Sequence, residues 1–257
     1  MRRPPLGQHF LNRPHTLERI ALAACPEPEP LLIEIGPGQG SLTALLLERS
    51  RRVIAIEFDA ALAERLRLRF AAQGHLEIVH ADVLETDLAQ WGPAVVAGNL
   101  PYYITSPILD RVLALGPLLR RAVFLVQREV AERLAAPPGG RDYGFLSVRT
   151  QFFARPRILF GVPRSAFQPP PKVDSAVVLL DPHPPALADP QDFLAFVGHC
   201  FKQKRKTLRN NLAALYPRIA ECSEAALRAE QLSLDQFVDL YRRLAPTSPL
   251  PAFPSRA

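Results

Sequence analysis

Cysteine is scarce in this 257-residue chain, and its three positions, Cys25, Cys200 and Cys222, are odd in number and far apart. That pattern excludes a disulfide framework and a Cys-x-x-Cys zinc site, and it fits a reducing cytosol, the expected location. The six histidines include no His-Glu-x-x-His or His-x₃-His pair, so no metal is expected. No apolar stretch approaches the roughly 18 residues that a membrane span needs. Nor does an apolar run follow Arg2 and Arg3, which argues against a secretory signal. Lysine is nearly missing: Lys172 stands alone, and Lys202, Lys204 and Lys206 share one stretch with Arg205 and Arg209. The net charge of +6 is therefore less informative than its distribution. A local run of cations reads either as a phosphate-contacting surface or as a solvated face.

Short β-branched runs are present at 31–35, 52–56, 76–80, 94–98 and 121–127, and helical patterns fall between them at 41–49, 59–70, 106–115 and 128–135. Continuous apolar strands alternating with helices predict a parallel sheet covered on both faces, an α/β fold. Ser41, directly after a glycine turn, is the expected N-cap of the first of these helices. A helix over 143–153 then precedes two extended runs, 156–162 and 173–180, which are expected to add an antiparallel edge. Four prolines within 181–190 mark a semi-rigid linker. Beyond it the pattern is helical only, over 190–201, 204–215, 223–231 and 234–244, the last announced by the capping box Ser233-Leu234-Asp235-Gln236. The tail after Pro246 reads as loose. The expected division is a sheet domain over 1–181, a linker over 182–190 and a small all-α domain over 191–257.

Glu34-Ile35-Gly36-Pro37-Gly38-Gln39-Gly40 joins a buried strand to a helix. Its glycines permit a sharp turn and close approach of a ligand, although such a run alone is weak evidence. Three acids sharpen it. Glu34 precedes the first glycine by two residues, Glu57 ends the second strand, and Asp82 ends the third. A carboxylate at Glu34 can draw in an α-ammonium group, Glu57 can accept both ribose hydroxyls, and Asp82 can accept from an adenine amine. An acidic ring without a phosphate-binding cation suits a positively charged ligand lacking phosphates, which is the character of S-adenosylmethionine. The pyrophosphate spacing G-x-G-x-x-G is absent. These residues specify a Rossmann-like class I S-adenosylmethionine-dependent methyltransferase sheet.

Asn99-Leu100-Pro101-Tyr102 follows the fourth strand. An adenine amine is a poor nucleophile because its lone pair is delocalised into the ring. Acceptance of both amine hydrogens, by the Asn99 side-chain oxygen and the Leu100 carbonyl, localises that pair. Pro101 stiffens the loop and brings no N–H of its own. Tyr102 offers a face for a flipped base, a contact worth ~1–3 kcal/mol. Phe167, held by the stiff Pro169-Pro170-Pro171, is a candidate for the opposite wall, and Lys172 for a phosphate contact. In the C-terminal cluster, Lys202, Arg205 and Arg209 recur at i, i+3, i+7 and are expected to line one helical stripe facing phosphates.

With Leu6-Gly7-Gln8-His9-Phe10-Leu11, residues 34–43, Glu57-Phe58-Asp59, Asp82, residues 99–108 (NLPYYITSPI) and residues 167–178 (FQPPPKVDSAVV), the chain resembles the ribosomal RNA adenine dimethyltransferase family. Within that family it is most similar to the branch acting on the small subunit. The resemblance implies dimethylation of two adjacent adenines in the 3′-terminal hairpin of small-subunit rRNA during ribosome biogenesis; a monomer is expected. It implies cofactor contacts from His9, Leu11, Gly36, Glu57, Asp82 and Asn99, to which the glycine turn adds Gly38, and target handling by Asn99, Leu100, Tyr102 and Phe167. The family often carries Asn where this chain has His9. Three alternatives stay open: a macrolide-resistance relative acting on large-subunit rRNA, a non-catalytic RNA-binding assembly factor, and a DNA adenine methyltransferase.

Overall fold

A computed structural model describes residues 9–187 and 190–244. Arg2, Arg3, the Leu6-Gly7-Gln8 part of the first motif, and the tail after Pro246 lie outside the described residues. The elements in chain order are β1 (Phe10–Leu11), α1 (Pro14–Ala24), β2 (Leu32–Ile35), α2 (Ser41–Leu47), β3 (Val53–Glu57), α3 (Ala60–Arg69), β4 (Leu76–His80), β5 (Ala94–Asn99) and α4 (Thr105–Leu113). There follow β6 (Leu119–Gln127), α5 (Arg128–Ala135), α6 (Phe145–Phe153), β7 (Ala154–Val162), β8 (Phe167–Gln168), β9 (Ser175–Pro182), α7 (Pro190–Cys200), α8 (Leu208–Leu212) and α9 (Leu234–Leu244).

Seven strands form one sheet in the order β4-β3-β2-β5-β6-β9-β7. β2, β3, β4, β5 and β6 pair in parallel, and β9 runs antiparallel to both of its neighbours. The strand order reverses between β2 and β5, so the carboxyl ends of these strands flank a topological switch point, where open α/β sheets bind ligands. β2 and β3 are buried at every position, as a sheet covered on both faces requires. The core over one face joins α1, α2 and the sheet through Ile20, Leu32, Leu46, Val95 and Val123. A second, two-stranded sheet pairs β1 with β8, Leu11 opposite Phe167 and Phe10 opposite Gln168.

The chain divides into two compact units. The first runs to Ala131 and resumes over Ala154–His183; the second consists of Glu132–Phe153 and the chain from Pro184 onward. Residues 132–153 therefore group with the helical unit, although they precede β7 in sequence. The helical unit is cored by aromatic residues, with Phe152, Phe193, Phe196 and Phe237 fully buried. Phe152 and Phe193 meet at 4.6 Å between ring centroids.

Three local expectations need correction. Ser41 is the first helical residue, not the cap: Gly40, at φ 81°, occupies the N-cap position, and α2 has no side-chain cap. Residues 201–206 form a turn rather than a helix, and α8 is only five residues long. Lys202 and Arg205 lie in that turn and Arg209 in α8, so the three do not share a helical stripe. Repulsion among adjacent cations disfavours a helix there, and the chain is drawn into extended pairing where Leu208 N–H donates to the Leu227 carbonyl at 2.7 Å. Asn211 pins the turn, donating to the carbonyls of Cys200 at 2.9 Å and Gln203 at 3.2 Å while accepting from Gln203 N–H. Residues 223–231 form two short 3₁₀ segments in place of the expected helix. The capping box before α9 forms as expected: Ser233 N–H donates to Gln236 Oε1 at 2.8 Å, and Gln236 N–H to Ser233 Oγ at 3.2 Å.

Candidate active site

The glycine run after β2 makes its turn with Gly36, Gly38 and Gly40 at φ 68°, 57° and 81°. These left-handed values cost a side-chain-bearing residue about 1 kcal/mol or more each. At Gly40 a Cβ would also lie 2.6 Å from the Phe70 ring, so the turn closes only over glycine. The loop rests on Glu57 at the end of β3. Gly38 N–H donates to Glu57 Oε2 and Asp59 N–H to Oε1, both at 2.9 Å. Burial raises the Glu57 carboxyl above its ordinary range, and the two backbone donors pull it back. Each oxygen keeps lone-pair capacity for a further donor.

Glu34, on β2, is fully buried, and its Oε2 has no hydrogen-bond partner. Desolvation pushes its carboxyl up to about 8, a rise that the nearby Thr43 hydroxyl offsets only in part and to which Glu57 adds repulsion. A buried acceptor left unsatisfied is costly, and this one lines a cleft of ≈ 800 Å³ including its open mouth. The lining includes His9, Leu11, Gly36, Gly38, Glu57, Asn99, Leu100 and Tyr102, and among the described residues no lysine or arginine. Two acidic groups, of which Glu34 gives up its proton most readily when a cation pairs with it, favour a positively charged ligand and disfavour phosphates.

Across the cleft, β5 ends in Asn99. Its Nδ2 donates to the His9 backbone carbonyl at 2.9 Å. A carbonyl only accepts, so this contact settles the amide orientation and leaves Oδ1 as an acceptor. Leu100 N–H is committed to the Leu125 carbonyl at 3.1 Å, and its own carbonyl takes no hydrogen bond from the described residues. Two acceptors thus stand together at the end of one strand. Thr105 Oγ1 and Ile104 N–H both donate to the Pro101 carbonyl at 3.2 Å, which fixes the turn that follows. Tyr102, half-buried, bonds through its hydroxyl to Ser175 Oγ at 2.6 Å, and its ring stacks on His9 at 5.8 Å and 29°. His9 Nδ1–H donates to the Pro169 carbonyl at 2.8 Å.

The structure therefore brings together His9, Leu11, Glu34, Gly36, Gly38, Glu57, Asn99, Leu100 and Tyr102 from separate segments. It does not bring in Asp82 or Phe167. Asp82 Oδ1 accepts from Leu84 N–H at 2.8 Å in the turn after β4; it is not part of the cleft lining, although its neighbour Ala81 donates to the Glu57 carbonyl at 3.1 Å. Phe167 is 5% exposed and packs in the core, because β8 pairs with β1 and seats it beside Leu11; it does not line the cleft. Lys172 is exposed and outside the cleft. Two contributors are not singled out by the sequence: Ser175, which lies within the 167–178 motif and holds Tyr102, and Gly98, where a Cβ would lie 2.3 Å from the Ile35 carbonyl oxygen and force β5 away from β2. Among the described residues no group of three or more His, Cys, Asp or Glu could hold a metal ion, and no helix is long and apolar enough to cross a membrane.

Comparison with known proteins agrees with this cleft. Residues 1–245 match the family described as ribosomal RNA adenine dimethylase. A protein of Acidobacterium capsulatum named ribosomal RNA small subunit methyltransferase A is 44% identical over 257 residues, covering 94% of this chain and 91% of its own length. A dimethyladenosine transferase from Plasmodium falciparum superposes with a TM-score of 0.81 at 26% identity, over 91% of this chain and 97% of its own. The crystal structure of the 23S rRNA methyltransferase ErmE gives a TM-score of 0.73 at 31% identity, over 92% and 100%. A match spanning both units, joined to an acceptor pair facing an acidic cleft, leads to one conclusion: the chain belongs to the ribosomal RNA adenine dimethylase family.

Proposed function

We propose that this protein dimethylates the N6 amines of two adjacent adenines in the 3′-terminal hairpin of small-subunit rRNA, with S-adenosylmethionine as methyl donor, in the cytosol during ribosome biogenesis. The observation that carries the reading is the Asn99 amide, turned by the His9 carbonyl so that Oδ1 and the Leu100 carbonyl are both open acceptors. An adenine amine has two N–H groups to give them. The three cysteines are free thiols, in keeping with a reducing compartment.

S-adenosylmethionine, when bound, supplies an electrophilic methyl group on a cationic sulfur. The residues present suit it: Glu34 has an orphaned, buried oxygen in a cleft lined by no lysine or arginine among the described residues. Glu57 would take the ribose hydroxyls and Glu34 the α-ammonium group, with Leu11, Gly36, Gly38, His9 and Asn99 around them; Asp82, beside the Ala81–Glu57 contact, is kept for the adenine amine and Phe167 for the second wall, both outside the cleft lining. Asn99 Oδ1 and the Leu100 carbonyl hold the amine so that its lone pair is localised, and these fixed dipoles need no reorganisation as positive charge develops on nitrogen. Tyr102 holds the base by stacking. No strong base is required, since a methylated ammonium nitrogen is acidic and its proton leaves to water.

For the RNA surface, the exposed cations Lys202, Arg205 and Arg209, carried by the Asn211-pinned turn and α8, are the proposed phosphate contacts in the helical unit, and Lys172 is the one proposed in the sheet unit. The small-subunit assignment is favoured over the large-subunit one by the 44% identical relative against the 31% identical structure. Methylated adenines should be mapped by mass spectrometry in both rRNAs, from cells with and without the gene. Loss of two adjacent dimethyladenines from the small-subunit rRNA is expected; a change confined to the large-subunit rRNA would favour the other branch.

A further inference from the structure

Ser175 opens β9 with no exposure to solvent, and its backbone is flanked by Gln127 of β6 and Val162 of β7. Its hydroxyl lies 2.6 Å from that of Tyr102, 73 residues earlier in the chain. We propose that Ser175 is a positioning residue for the target base: anchored in the sheet, it fixes the plane in which Tyr102 receives the adenine. The proposal rests on the reading of Tyr102 as the stacking surface.

A tyrosine side chain is oriented by two torsions: the phenol oxygen lies on the χ2 axis, so holding it fixes χ1 directly, and it restrains χ2 through the preference of a phenol O–H and its hydrogen bonds for the ring plane. The His9 ring restrains Tyr102 from one face as well. The platform is thus oriented before RNA arrives, and the entropy of ordering it is not charged against binding or transfer. Without Ser175 Oγ, the phenol keeps its stacking area but loses its fixed plane.

The chemistry of a double transfer makes this residue matter unequally. The unmodified amine offers two N–H groups to Asn99 Oδ1 and the Leu100 carbonyl. After the first methyl only one N–H remains, so one acceptor has no partner and the base depends more on stacking. Loss of the Ser175 anchor therefore falls hardest on the second methyl.

Full-length wild type, Ser175→Ala, Tyr102→Phe, the double variant and Tyr102→Ala are compared on small ribosomal subunits lacking the modification. Single-turnover rates of mono- and dimethyladenine formation are read by mass spectrometry, with S-adenosylmethionine affinity and Tm measured alongside. Ser175→Ala and Tyr102→Phe should each slow transfer roughly three- to tenfold, the worth of one neutral hydrogen bond. Both should accumulate monomethyladenine, and the double variant should be no slower than the slower single one. Wild-type rates and product ratio in Ser175→Ala, a lowered Tm with unchanged rates, or multiplying effects in the double variant would each overturn the proposal. If Ser175→Ala does not fold, Tyr102→Phe removes the same bond without touching the strand, and a wild-type product ratio there overturns it equally. Normal transfer by Tyr102→Ala removes the stacking surface itself, whereas a slow Tyr102→Ala beside a normal Ser175→Ala removes only the anchor.

Discussion

The two halves of the cleft are built in different ways. On the acidic side, Glu57 ties down the glycine loop through backbone donors 19 and two residues away. Its two acids and its glycines come from one β-α-β passage, β2 to β3. On the amine-clamp side, Asn99 is turned by a carbonyl 90 residues earlier, Tyr102 by a serine 73 residues later, and His9 by a carbonyl 160 residues later. Backbone contacts made within one supersecondary unit hold a ligand of fixed shape and tolerate substitution elsewhere. Side-chain contacts between distant segments leave half-exposed groups that a large substrate can reach, and each depends on the whole fold being in place.

The largest effect expected from breaking this arrangement is at Asn99. Asn99→Ala removes the acceptor most directly engaged with developing charge, and turnover on small subunits should fall on the order of 10²-fold or more, as for loss of one preorganised dipole at a reacting centre. RNA affinity should change far less, since the contact matters most in the transition state. Single-turnover methylation near the wild-type rate would remove the amine clamp from the mechanism. Glu57→Ala comes next and strikes the other half. It should weaken S-adenosylmethionine binding, by roughly 1.5–3 kcal/mol per charged hydrogen bond lost, and lower Tm because Gly38 and Asp59 lose their acceptor. Calorimetry showing unchanged affinity in a folded variant would take Glu57 out of the site.

The same contrast separates what the amino-acid sequence makes legible from what it hides. β2 to β6, the glycine turn and the Asn99-Leu100-Pro101-Tyr102 loop announce themselves locally, through apolar runs, a glycine spacing and a strand-end motif. The antiparallel placement of β7 and β9 is legible too, from two extended runs with a proline-rich link. β1 and β8 are not, because a two-residue strand has no period to detect and its partner lies far along the chain. The setting of Phe167 is hidden for the same reason: its motif suggests a stacking wall, and only the pairing of β8 with β1 shows that it packs beside Leu11. In the helical unit, residues 202–206 look helical by spacing, but Asn211 and the Leu208–Leu227 contact hold a turn that no local pattern encodes.

Glu34 tests whether the acidic half is kept for a cation. Its folded carboxyl sits at about 8 against an ordinary 4.5, so between those values the folded protein holds a proton that the unfolded chain has lost. Stability of the ligand-free protein should therefore be greatest below about 4.5, as far as this group is concerned, and should be lost as pH rises towards 8, at up to ~1.4 kcal/mol per pH unit. Glu57, also raised by burial and coupled to Glu34, adds a contribution of the same sign. Glu34→Gln should flatten the decline, and S-adenosylmethionine binding near neutral pH should release a proton from wild type but less from the variant. Calorimetry in buffers of different ionisation enthalpy reads that release, and equal proton counts for the two proteins would contradict the assignment.

The smallest effect sharpens the comparison most, because His9 contributes to the amine-clamp half in two distinct ways. Its backbone carbonyl orients Asn99, and no substitution removes a carbonyl. Its ring stacks on Tyr102 and donates to Pro169, and His9→Ala deletes both contacts. An aromatic pair is worth about 0.5–1.5 kcal/mol, so His9→Ala should slow methylation by roughly three- to tenfold while the Asn99 amide keeps its orientation. His9→Asn, which restores a side-chain donor towards Pro169 but no ring, should fall between Ala and wild type. A loss comparable to Asn99→Ala would mean that the ring, not the carbonyl, sets the clamp. A loss of S-adenosylmethionine affinity larger than the loss of rate would place His9 in the acidic half, and the division between a backbone-built and a side-chain-built half would have to be redrawn around it.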